Sequence, residues 1–96
     1  MLGNVHITEP YRVTSGVAAA AFTSSGNVHG VVLKAICPGA TVYIGRGAVT
    51  TSTGFPLADG ETLTLEVRNA NELYHIASAA DQSIAVLPFT RLGRGN

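Results

Sequence analysis

The sequence has no tryptophan, one cysteine and one methionine, and only 12% of its residues are charged. The lone Cys37 allows no internal disulfide, which excludes a disulfide-stapled framework. No charged segment followed by an apolar stretch opens the chain, so the expected setting is a reducing cytoplasm. No apolar run approaches the ~20 residues a membrane helix needs, and a membrane-spanning role is not expected. Lys and Arg total six, as do Asp and Glu, for a formal net charge of zero. That balance provides no field for nucleic acid or an anionic membrane surface. The charged share is about half the usual one, and a weakly charged, neutral surface tends to associate. It points to assembly.

The 96 residues are 46% hydrophobic, enough for one domain with one core. Val, Ile and Thr recur in short runs broken by Gly, Pro, Asn and Asp, the pattern of an all-β domain. Glu61 to Val67 is the clearest strand, with Leu63, Leu65 and Val67 on one face and Thr62, Thr64 and Glu66 on the other. Asp59-Gly60 before it is a turn. Val28 to Ile36 is more apolar and suits an inner strand ended by Pro38-Gly39. Thr41 to Ile44 resumes the β pattern, and Val49 to Thr53 is expected as a further strand after a hairpin or bulged corner at Gly45-Arg46-Gly47. Ser83 to Phe89 reads as a closing strand, with Pro88 restricting that end to an edge or a bulge. Asn4 to Thr8, Tyr11 to Thr14 and Val17 to Thr23 are short upstream candidates. Two stretches stay open. Four alanines in Val17 to Phe22 favour helix while their flanks favour strand; Asn71 to Ala80 fits a short helix capped by Asn71 or a strand, with strand preferred. The expectation is a small β-sandwich or jelly roll of about eight short strands with little or no helix, over residues 1–90. Residues 91–96, too polar to join that core, are expected to form a tail that reaches a neighbouring subunit.

Nothing concentrates chemistry. Gly45-Arg46-Gly47 lacks the longer glycine pattern and following helix of a phosphate cradle; its glycines read as turn residues needing positive φ. His6, His29 and His75 stand far apart without metal-ligand spacing. No Gly-x-Ser-x-Gly elbow accompanies the serines. Cys37, beside no cation or helix start, reads as a small buried hydrophobe. No catalytic residue, metal or cofactor is expected, and the chain is not expected to be an enzyme.

The stretch from Val42 to Leu65 carries Val-Tyr-Ile-Gly (42–45), Gly47, Val-Thr-Thr (49–51), Gly-Phe-Pro-Leu (54–57), Gly60-Glu61 and Leu-Thr-Leu (63–65). With Leu73-Tyr74-His75-Ile76-Ala77-Ser78 and Ile84-Ala85-Val86-Leu87, it resembles a group of small virion proteins of tailed bacteriophages. His75 departs from the alanine common at that place, so no role for it carries over. The resemblance implies a non-enzymatic particle component assembled in the bacterial host cytoplasm: a capsid decoration or cement protein, or else a tail- or fibre-associated module binding carbohydrate or a receptor. Its implied partners are the major capsid protein or other virion proteins, and further copies of itself, with a trimer suited to three-fold lattice positions. Leu2, Tyr11, Phe22, Arg46, Phe55, Arg91 and Arg94 are the expected subunit contacts.

Overall fold

The structure is a computed structural model that describes residues 5–7 and 9–91, with 5–7 and 91 as backbone. The expected contacts Leu2 and Arg94, and residues 92–96 of the expected tail, lie outside the described residues. Among the described residues, nine strand segments follow in chain order: β1 (Val5–Ile7), β2 (Tyr11–Ser15), β3 (Ala20–Ala21), β4 (Gly30–Ile36), β5 (Thr41–Gly45), β6 (Phe55–Ala58), β7 (Thr62–Leu65), β8 (Tyr74–Ala77) and β9 (Gln82–Arg91). A 3-10 turn, Ala70–Glu72, is capped by the Asn69 side chain, which accepts from Asn71 N–H.

The strand pairings are antiparallel. β1 pairs with one end of β9 (Ile7 opposite Phe89) and β2 with the other (Tyr11 opposite Val86), so the two fill one strand position. The first sheet therefore runs β1/β2–β9–β4–β7, and the second β3–β8–β5–β6. Most connections cross from one sheet to the other. That strand order is the double Greek-key winding of a jelly roll, a sandwich of two four-position sheets as the strand pattern predicts.

Period-two alternation builds the core. In β4, Val31, Leu33 and Ala35 are fully buried while Val32, Lys34 and Ile36 face outward. Ile84 and Val86 of β9 join them, and across the sandwich lie Val42 and Ile44 of β5, Leu57 of β6 and Ala77 of β8, with Phe22 and Cys37 between. Each of the Val, Leu, Ile and Phe side chains among them contributes about 1.5–3 kcal/mol by leaving water. The turns form where expected: Cys37 C=O accepts from Ala40 N–H around Pro38-Gly39, and Ala58 C=O from Glu61 N–H around Asp59-Gly60. Gly39 and Gly60 both take positive φ there.

Three local expectations are corrected. Val49 to Thr53 is not a strand: 49–50 are irregular and 51–53 form a turn. Thr50 Oγ1 accepts from Ser52 and Thr53 N–H, and Thr53 Oγ1 from Thr50 N–H, so the hydroxyls satisfy backbone groups that a ladder would have used. Gly45, Gly47 and Gly54 do not take positive φ; Gly45 and Gly54 are needed because a Cβ on either would lie within 2.7–2.8 Å of the buried Val49 side chain. The alanine run yields only the two-residue β3, while 74–77 is strand, as preferred over helix. Pro88 sits in a central strand, but at a break. β4 bonds to β9 through alternate residues that place the Pro88 nitrogen on the opposite side, where the β1 register ends and that of β2 has not begun.

Candidate functional site

Ser15 closes β2 in the first sheet, and His75 lies in β8 of the second. Both are buried, and His75 Nδ1 lies 2.8 Å from Ser15 Oγ, a hydrogen bond joining the sheets through the core. The Phe22 ring meets the imidazole edge to face at 4.7 Å. A hydroxyl beside an imidazole has the composition of a nucleophile and its base, but at 0% and 2% exposure neither is within reach of a substrate. The pair is a structural tie. Burial pushes the His75 pKa below its ordinary value, about 6.5. As pH falls through that value the unfolded chain takes a proton that the folded chain refuses, so stability is full above it and lost progressively below. Urea unfolding from neutral to acid pH is expected to show this loss, and His75→Gln to reduce the slope; an unchanged slope would remove His75 as its source.

Cys37 is also buried. Its N–H donates to Asp59 Oδ1 (2.9 Å) and its Sγ rests 3.9 Å from Leu57 C=O. Burial first, then the Asp59 and Glu61 carboxylates, push the thiol pKa up, so it stays protonated and out of reach of a second chain's thiol. Among the described residues no three His, Cys, Asp or Glu side chains converge as metal ligands do. A shallow groove of about 340 Å³ between Val28, His29, Glu66, Val67, Arg68 and Glu72 mixes charges of both signs, two carboxylates against one guanidinium.

The most distinctive surface lies at the β6/β7 edge of the sandwich. Leu63 and Leu65 point inward from β7 but are only half-buried, because the wall opposite them stops at Phe55, which is 56% exposed. The result is an open groove of about 350 Å³ lined by Ile44, Gly45, Arg46, Phe55, Leu63, Leu65 and Leu73. Among the described residues that line it, Arg46 alone is charged. The neighbouring turn, where Arg46 C=O accepts from Val49 N–H (2.9 Å), holds this corner, and Arg46 itself is exposed.

The two strands bordering the groove differ. Pro56 pairs with Tyr43 and has no N–H to offer the free side of β6. The next outward group, Ala58 N–H, donates to Glu61 Oε1 (2.8 Å), and Ala58 C=O accepts from Glu61 N–H. β6 is thus closed to strand addition, a common protection of edges.

Of the expected subunit contacts, the structure places Arg46 and Phe55 together on this groove. Phe22 is 2% exposed and belongs to the core, so it is unavailable to a neighbour. Tyr11 is half-buried over the core edge and its hydroxyl donates to Thr23 C=O (2.6 Å). Arg91 ends β9 opposite Val5 of β1, in a strand that β4 separates from β7 and the groove. Ile44, Leu63, Leu65 and Leu73 were not anticipated as site residues. The alternation of Leu63 and Leu65 marks an inward face, but carries no sign that the opposite wall is missing.

No family model, curated protein or solved structure matches this chain.

Proposed function

We propose that this protein is a non-enzymatic structural component of a bacteriophage virion, a decoration protein that stabilises the head by binding across capsid subunits. The observation that carries this reading is the exposed apolar groove and open sheet edge on a jelly roll whose serine–histidine pair and thiol are sealed in the core. Such a surface is suited to contact with other proteins. The linked motifs from Val42 to Leu87, which resemble small phage particle proteins, support the same reading. So does the architecture, by analogy only: jelly rolls serve viral capsids, but also lectins and enzymes. The mechanism would be linkage, since a ligand that binds only the assembled lattice raises the cost of disassembling it. Purified protein mixed with empty capsids is expected to bind saturably at lattice stoichiometry and to raise the capsid's melting temperature. Correctly folded protein that does not bind would sink the capsid assignment.

A further inference from the structure

Among the described residues, no strand pairs with the free side of β7, where that of β6 is closed. Ala35 N–H donates to Glu61 C=O (3.0 Å), so Ala35 opposite Glu61 is a hydrogen-bonded position. Antiparallel ladders alternate, which makes Leu33–Leu63 and Val31–Leu65 the bonded pairs in the observed register. The N–H and C=O of Thr62 and Thr64 then point away from β4 to the free edge. These outward groups lie beside the apolar groove that Leu63 and Leu65 line.

We propose that this edge is a self-association surface: a second copy docks with its β7 antiparallel to this one, around a two-fold axis at Leu63. In that register Thr62 exchanges both backbone bonds with the partner's Thr64, and Thr64 with the partner's Thr62. The four-position sheets become one continuous sheet, and each groove is closed by the other copy's Leu63 and Phe55. The contact is isologous and stops at two subunits.

Charge selects the occupant and the direction. Arg46 lines the groove at the Leu65 end of the edge, and Glu61 stands at the other end with Gly60 and Thr62. Glu61 and Leu65 are four positions apart, about 13 Å of strand. Antiparallel pairing sets Leu65 opposite the partner's Glu61, so Arg46 meets that carboxylate, and the symmetry repeats the contact. Glu61 uses one oxygen on Ala58 N–H and has the other to offer. Parallel pairing would set Arg46 beside Arg46 and Glu61 beside Glu61, which is unfavourable. The edge is complementary to itself in one orientation.

The proposal concerns the isolated protein and stands or falls separately from any capsid binding. Sedimentation equilibrium from micromolar to millimolar protein is expected to show monomer passing to dimer. Thr64→Pro removes an outward N–H at an edge position that tolerates proline; it is expected to stay monomeric with an unchanged circular dichroism spectrum. Arg46→Glu is expected to raise the dimer Kd roughly tenfold or more. Mixing R46E with E61K, each weakened alone, is expected to restore pairing in a heterodimer, where both charge contacts are again opposite in sign. The axis has its own test. Leu63 opposes itself at a non-hydrogen-bonded position, with Cα atoms about 4.5 Å apart, within the span of a disulfide, about 4.4–6.8 Å. Oxidised L63C is expected to give a covalent dimer and T62C, offset by two residues from its mate, is not. A wild type that stays monomeric at millimolar concentration, a dimer or trimer that Thr64→Pro leaves intact, or L63C that does not cross-link would each overturn the proposal.

Discussion

Phe22→Ala is expected to lose about 3–5 kcal/mol of folding stability, the range for truncating a buried aromatic. Phe22 follows the two-residue β3 and is 2% exposed. Its N–H donates to Leu73 C=O (3.0 Å), which holds the backbone in place and leaves little freedom for the site to collapse. Its ring also forms the apolar wall against His75. Truncation therefore removes the contact of the ring with the imidazole and opens space beside the only described buried polar pair. A domain has about 5–15 kcal/mol in total, so the variant would give up a large share of its stability. The measurement is the urea midpoint at constant m. A loss under about 1 kcal/mol would mean that Phe22 does not fill the core.

Gly30→Ala is the second large effect, expected to cost about 2 kcal/mol net. Gly30 opens β4 directly opposite Phe89. A Cβ there would lie 2.5 Å from a Phe89 ring carbon and 2.6 Å from Leu65 C=O. The ring can turn aside. The carbonyl belongs to β7 and can move only by straining the β4–β7 ladder, which places the overpacking near the top of its usual range of about 1–3 kcal/mol. Alanine also stiffens the unfolded chain, which returns about 0.4–1 kcal/mol. The steric term wins. Thermal unfolding should show the lower midpoint, and adding Phe89→Leu should recover only the part of the loss due to the ring. A neutral Gly30→Ala would show that the two strands separate here without cost.

Much of the fold was legible because it is written locally. Leu63 and Leu65, and Val31, Leu33 and Ala35, alternate with outward residues as a two-residue period requires. Pro38-Gly39 and Asp59-Gly60 mark turns whose positive φ only glycine takes freely. Other features depended on more than local preference. The strand propensity of Val49 to Thr53, rich in β-branched residues, lost to hydroxyl bonds within the turn. Pro88 found a place in a central strand because β1 and β2 break beside it. Ser15 and His75 are sixty residues apart, and nothing near either one announces the other.

The candidate site divides in the same way. Phe55 and Arg46 stood out as an apolar side chain and an isolated cation in a glycine-rich stretch, and the structure brings both to one groove. Their companions Leu63, Leu65 and Leu73 looked like ordinary core residues. The β class, the turns at Pro38-Gly39 and Asp59-Gly60 and the inward faces of β4 and β7 follow from the sequence alone, because φ/ψ preference and period-two alternation act between near neighbours. Which glycines a neighbour crowds, which histidine is sealed in the core, and which edge is left unpaired among the described residues emerge only when the two sheets pack. Those outcomes depend on which strands cross between the sheets and which segments then meet, and packing between distant residues settles that.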